Sequence, residues 1–329
     1  MEGKPSVLHY GNLLSWITMR FQRFLVSIFL LTCSCSVQQK KPQATKTEKP
    51  TYFVTVPIDK FSEIRTPCVT INIDDRAFSM ELDLGYRGDL KLAKEFIDSI
   101  GSKESIRQKI MYNFRGRELI TNQYRIPNIK IQNATFTKIV LQEEVREFLK
   151  DTTFVRDGGE PSPREHGKLG WELFCNTTLL VDIKNSQLIM CDSPGTLKQH
   201  GYCLENFTQT PLLLERGLVE IETITPEGPL RCMLDTGATW NILNRSIEEG
   251  KSIDQAIWEP ENILEYPFFK ISEKDFGKIP FCRIPIQAPI RIDGVLGMDF
   301  FQENLVFLDF TGKVAYFHPY SSEPLKQEL

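Results

Sequence analysis

The sequence predicts an all-β protein, mainly strands with short helices, built as two tandem lobes related by a pseudo-two-fold axis. Three observations predict it. Short runs of alternating apolar and polar residues recur along the chain, separated by turns rich in Gly, Pro, Asn and Asp. An Asp-x-Gly tripeptide follows such a run twice, as Asp83-Leu84-Gly85 and as Asp235-Thr236-Gly237. Several blocks of the first half return in the same order in the second, the mark of an internal duplication.

At 329 residues the chain is long enough for two domains with sizeable cores. Hydrophobic residues make up 41% and charged residues 25%, as in ordinary globular proteins. A formal net charge of −4 leaves no basic footprint for nucleic acid. The chain has only 4 His, and no Cys/His cluster has zinc-ligand spacing, so neither a metal nor a cofactor is expected.

The amino-terminal segment stands apart. Arg20 and Arg23 precede the apolar run Phe24 to Leu31, and small residues follow in Thr32-Cys33-Ser34-Cys35-Ser36. This is the layout of an export signal, with an apolar run too short to span a bilayer comfortably. Cys33 and Cys35 fall where a bacterial lipoprotein signal places its lipidated cysteine, and Ser34 makes Cys35 the better candidate. A plain cleaved signal and an uncleaved anchor are the alternatives. All three imply export, as a bacterial membrane-anchored lipoprotein or as a periplasmic or secreted protein. Residues 1–37 are read as the export segment, and residues 38–50, rich in Lys, Gln, Thr and Pro, as a polar tether. The other six cysteines allow fifteen pairings, and their spacing selects none.

Along the chain, Cys68 to Ile73 and Phe78 to Leu82 alternate about a turn at Asp74-Asp75-Arg76 and deliver Asp83. A helix is predicted from about Leu90 to Ile100, with Leu92, Phe96, Ile97 and Ile100 on its apolar side. Ile126 to Leu141 alternates around Gln132-Asn133-Ala134. A polar loop with Gly158-Gly159 and Pro161-Ser162-Pro163 follows, then Gly167 to Phe174 and the alternating stretch Leu179 to Met190. In the second half, Gly217 to Glu222 and Pro229 to Leu234 flank a turn at Thr225 to Gly228 and lead into Asp235. Phe269 to Pro280, Gly294 to Phe301 and Val306 to Phe317 complete it.

The halves overlay in three blocks. Asp83-Leu84-Gly85 lies on Asp235-Thr236-Gly237. Ile129 to Ile139 lies on Phe269 to Ile279, with Lys130/Lys270, Ile131/Ile271, Phe136/Phe276, Lys138/Lys278 and Ile139/Ile279 identical without a gap. Gly167-Lys168-Leu169-Gly170 lies on Gly294-Val295-Leu296-Gly297, which places Asp182 on Asp309. The first lobe is read as residues 51–192, a linker as 193–210 and the second lobe as 211–329. The four paired lysines are expected on solvated strand faces, and Trp171, Phe300 and Phe301 in the core.

Two carboxylates on facing loops cannot both ionise easily, so one keeps its proton. The ionised member can act as a general base on water while the protonated member polarises an amide carbonyl. Leu234-Asp235-Thr236-Gly237-Ala238 and the later Val295-Leu296-Gly297-Met298-Asp299-Phe300 resemble the aspartic proteases of the pepsin/retropepsin superfamily. With the duplication, the chain is similar to a two-lobed, single-chain member over about Thr51 to Pro319. That resemblance implies barrel-like lobes with a cleft between them for a peptide or protein substrate. It implies Asp235 and Asp83 as the catalytic pair and Thr236 as a hydrogen-bonded brace between the loops. Gly237 and Gly85 would bond substrate backbone, and Leu296-Gly297 would back the Asp235 loop, with Ala238 completing it.

The first lobe departs from the pattern. Leu84 replaces the hydroxyl residue, which removes half of the brace. Tyr86 stands where a small residue is usual, with bulk to narrow the cleft floor, and Lys168 interrupts the apolar run before Leu169-Gly170. Two alternatives to a monomeric peptidase follow: a peptide-binding protein that has lost turnover, or a peptidase active only as a dimer of Asp235 lobes.

Overall fold

Alternating runs become three sheets. The structure, a computed structural model, describes residues 52–62, 65–112, 118–144, 166–245, 262–286 and 291–321. All of them belong to one compact unit, Pro50–Leu329. The export segment with Cys33 and Cys35, the polar tether and the Gly158-Gly159 loop lie outside the described residues.

The first lobe runs through β1 (Phe53–Pro57), β2 (Lys60–Phe61), β3 (Pro67–Ile73), β4 (Arg76–Asp83) and β5 (Leu90–Ala93). A short helix α1 (Lys94–Asp98) precedes β6 (Glu104–Tyr112), β7 (Glu118–Ile131), β8 (Ala134–Glu144) and β9 (Gly167–Gly170). The hairpin of β10 (Thr178–Asp182) and β11 (Gln187–Cys191) ends it, and α2 (Pro194–Gln199), capped by Ser193, leads to β12 (Thr208–Pro211). The second lobe contains β13 (Glu220–Thr225), β14 (Gly228–Leu234), β15 (Ile242–Leu243), β16 (Ile263–Tyr266), β17 (Lys270–Ile271) and β18 (Lys274–Asp275). It continues with β19 (Ile279–Arg283), β20 (Gly294–Leu296), helix α3 (Met298–Glu303), β21 (Asn304–Asp309) and β22 (Val314–Pro319).

Each lobe has one eight-stranded sheet. The first has the order β2-β3-β4-β9-β5-β8-β7-β6, and β3 also pairs with β7, which curls the sheet toward a barrel. The second has the order β16-β19-β15-β20-β14-β13-β17-β18. A six-stranded sheet, β1-β11-β10-β21-β22-β12, joins the lobes through the central antiparallel pair β10–β21. This is the all-β, two-lobed, aspartic-protease-like architecture that the repeat implied.

The overlay of the halves holds residue by residue. Leu82 pairs with Leu169 in parallel strands, as Leu234 pairs with Leu296. Asn72 lies opposite Lys130 as Ile224 lies opposite Lys270. Gln132 and its counterpart Ser272 both take left-handed backbone, at φ 52° and 51°, in equivalent tight turns. Asp182 accepts the N–H of Asn185, and Asp309 accepts the N–H of Gly312, three residues on in each case.

One element differs from expectation. Leu90 to Ala93 is a strand, and only Lys94–Asp98 is helical. Leu90 and Leu92, two residues apart, are both fully buried where β5 lies between β8 and β9, so the period-two spacing prevails over the helical one.

Trp171, Phe300 and Phe301 are buried as expected, and Lys130, Lys138 and Lys278 are exposed, with Lys270 half-buried. The six described cysteines are free thiols. No helix among the described residues is long and apolar enough to cross a membrane.

Candidate active site

Two strand ends build the site. β4 runs through Leu82 to end on Asp83, and β14 ends on Leu234; the two leucines, both fully buried, anchor the chain one residue before each aspartate. Each strand is held from beside by the Leu-Gly segment of β9 or β20. A tight turn follows each aspartate: Tyr86 N–H donates to the carbonyl of Asp83 at 3.0 Å, and Ala238 N–H donates to that of Asp235 at 3.2 Å. The turns then cross Gly170 and Gly297. A Cβ on Gly297 would lie 2.2 Å from the carbonyl oxygen of Trp240, and one on Gly170 would lie 2.2 Å from that of Gly88. Only glycine lets the loops pass there.

The loops interlock. The α-carbon of Gly85 rests on the carboxyl of Asp235, where an added Cβ would meet Cγ at 2.4 Å. Gly237 rests in the same way on Asp83, at 2.5 Å. Asp83 and Asp235 come within hydrogen-bonding reach of each other. The fully buried Thr236 hydroxyl donates to the carbonyl of Leu82 at 2.6 Å and accepts from the N–H of Leu84 at 3.1 Å. With Leu84 apolar, Thr236 provides the side-chain brace from the second lobe.

The electrostatics are not symmetric. Lys168 Nζ lies 2.5 Å from Asp83 Oδ2, with both side chains nearly buried at 11% and 10% exposure. Burial works against charge on Asp83. The Lys168 ammonium, its hydrogen bond and the more distant Lys91 outweigh that cost and hold the carboxyl below the ordinary range. Burial, and then the charge of Asp83, push Asp235 up to about 7, against the opposing pull of Lys168 and of Gly237 N–H. That N–H donates to Asp235 Oδ1 at 2.8 Å.

Tyr86 differs from its expected place. Its ring packs into the first lobe, 7% exposed, with the hydroxyl donating to Gln142 Oε1 at 3.2 Å and Lys91 Nζ over the ring at 4.9 Å. The polar partners inside the lobe draw the phenol away from the cleft floor. It lines a cavity of 580 Å³ together with Arg107, Lys109, Gln123, Gln142 and Glu172. Ala238 is half-buried and packs with Met233 and Val295.

Lys168 is the member of the site that sequence reasoning registered only as an interruption. Its signal was the overlay itself, which sets Lys168 on Val295 at a position buried in the second lobe. Glu81, two residues before Asp83 on the same strand face, gave a weaker signal of the same kind.

No protein-family model matches the chain, and neither does any curated protein sequence. Solved structures do match. Basic 7S globulin from soybean superposes with a TM-score of 0.52 at 12% identity, over 82% of this chain and 95% of that one. The aspartic proteinase from Irpex lacteus superposes with a TM-score of 0.50 at 10% identity, over 82% of this chain and 98% of that one. At these identities the likeness shows a pepsin-like fold.

Proposed function

We propose that the chain is an exported aspartic-type endopeptidase, hydrolysing peptide bonds through a water activated by the Asp83/Asp235 pair. The observation that carries this reading is the facing of the two carboxyls, each seated on the glycine of the opposite loop. One carboxylate takes a proton from water as the water oxygen attacks the peptide carbonyl. The other carboxyl donates its proton toward the carbonyl oxygen as charge builds there. Proton transfer to the peptide nitrogen then releases the amine. The substrate is a peptide or unfolded protein lying extended between the lobes. Export rests on Arg20, Arg23 and the apolar run after them.

The test is incubation with an unfolded protein from about pH 3 to 7, beside Asp83→Asn and Asp235→Asn. Cleavage by the unmutated protein and its loss in both variants is expected. Equal cleavage in all three, or none in the unmutated protein, overturns the reading.

The ion pair on Asp83 favours a second reading, peptide binding without turnover, because a base engaged by an ammonium is weakened. Binding that survives Asp83→Asn with no cleavage at any pH selects it. Pairing of Asp235 lobes between chains has less support, since Asp83 already opposes Asp235 and the Thr236 hydroxyl is engaged within the chain. The working unit is a monomer in this reading.

A further inference from the structure

Lys168 belongs to the same site, and the role given to it here rests on the peptidase reading. Lys168 lies in a row that crosses the first lobe's sheet. Neighbouring strands bring together Glu81 on β4, Lys168 on β9, Lys91 on β5, Gln142 on β8 and Gln123 on β7, each opposite the next. Glu81, Lys91, Gln142 and Gln123 are buried, and Arg107 on β6 closes the row with a 3.0 Å hydrogen bond from Nε to Gln123 Oε1.

The second lobe has the same row in different chemistry. Met233, Val295, Ile242, Cys282 and Ile263 stand opposite one another in the equivalent pairs of strands. Met233, Val295 and Ile242 pack there as an apolar cluster with Leu218 and Ile292. The backbone site therefore accepts apolar side chains, and the first lobe holds charges in the same frame. Buried charge persists where partners compensate it. For Lys168 one such partner is a carboxyl of the facing pair, that of Asp83, at 2.5 Å.

We infer that Lys168 is a positioning residue, a built-in counter-ion that fixes which carboxyl of the pair carries the proton: Asp83 is the base and Asp235 the acid. The remaining groups facing the pair support that polarity. Lys91 adds a second positive charge on the Asp83 side, Glu81 lies opposite Lys168 on the neighbouring strand, and the Tyr86 ring lies under Lys91. The Asp235 carboxyl meets Gly85 and Asp83, and a charge on Asp83 keeps its proton in place. The two directions of titration agree with this: Asp83 is held low while Asp235 is raised to about 7. The pair with one proton, on Asp235, then persists from below the usual carboxylate range up to near neutrality. Lys168 lowers both carboxyls, so its removal moves both limbs of the profile to higher pH.

The test is a carboxyl-carbon NMR titration of the full chain with labelled Asp, the two signals assigned by Asp83→Asn and Asp235→Asn. Lys168→Met, apolar like Val295 in the second lobe, and Lys168→Gln, which keeps a donor without the charge, are compared with the unmutated protein. Asp83 is expected to titrate higher by about one pH unit or more in both variants. The acid limb of kcat/KM is expected to move up with it. If Lys168→Met fails to fold, Lys168→Gln carries the reading. An Asp83 titration that stays in place in a folded variant, or moves in Lys168→Met but not in Lys168→Gln, overturns the inference. Split titrations with no cleavage by any protein leave Lys168 its role and sink the peptidase reading. Cleavage whose acid limb ignores Lys168 does the reverse.

Discussion

Gly85 rests on the carboxyl of Asp235 so closely that a methyl group in its place would lie 2.4 Å from Cγ and from Oδ2. The obstacle is the end of a side chain, which can swing away at small cost to the fold. Gly85→Ala is therefore expected to melt near the unmutated protein yet lose about a hundredfold in kcat/KM, because Asp235 leaves its partner. Calorimetry and peptide cleavage, measured together, check the two halves of this prediction.

Gly297→Ala is expected to behave in the opposite way. Its Cβ would meet the backbone carbonyl of Trp240 at 2.2 Å, and no rotamer relieves that contact. The loop after Asp235 must lift from β20, at a cost of about 1–3 kcal/mol. Urea unfolding reads this directly, and a midpoint equal to that of the unmutated protein would sink the account of the crossing.

Thr236→Val removes the hydroxyl shared by the Leu82 carbonyl and the Leu84 N–H. Both groups stay buried without that partner, so a loss of about 1–3 kcal/mol is expected. Thr236→Ser, which keeps the oxygen, should recover most of it. Equal stability of the two variants would place the brace elsewhere.

Asp235 gives stability a dependence on pH with a defined sign. Its folded-state value of about 7 lies above that of the unfolded chain, so between the two the folded state binds the extra proton. Its contribution is fully present below the unfolded value and is lost as pH rises through about 7. Asp83, held low, acts the other way: its contribution is present above the unfolded value and is lost as pH falls through the folded one. Asp235→Asn should flatten the decline from about pH 5 to 8, on the order of 2 kcal/mol, as measured by denaturant midpoints across that range.

The lipoprotein reading of the export segment makes a separate prediction, that the unmutated protein incorporates labelled fatty acid and lies in the membrane fraction; no label there overturns it. On that reading Cys35→Ala should abolish the incorporation and release the protein, while Cys33→Ala should not. Retained label in Cys35→Ala with loss in Cys33→Ala would assign the other cysteine.

Much of the fold was legible in the residues because strands write their period locally. The alternation about Asp74-Asp75, the Asp-x-Gly turns and the Gly-x-Leu-Gly segments each needed only their own neighbours to be recognised. The duplication extended that reading across the chain, and the pairing of Leu82 with Leu169 and of Leu234 with Leu296 follows the overlay. Where a local signal failed, at Leu90 to Ala93, burial between two strands from distant parts of the sequence set the conformation.

The site divides along the same line. Asp83, Asp235, Thr236 and the loop glycines were readable because their turn chemistry lies in a few consecutive residues. The proton's place could not be read there. Lys168 is 85 residues from Asp83, and Thr236 is 152 from Leu84, so both contacts exist only when the sheets close. Charge acts through space and through the burial around it, and the sequence order carries neither distance nor burial. The chain announced two aspartates; folding placed a lysine on one of them and left the other to hold the proton.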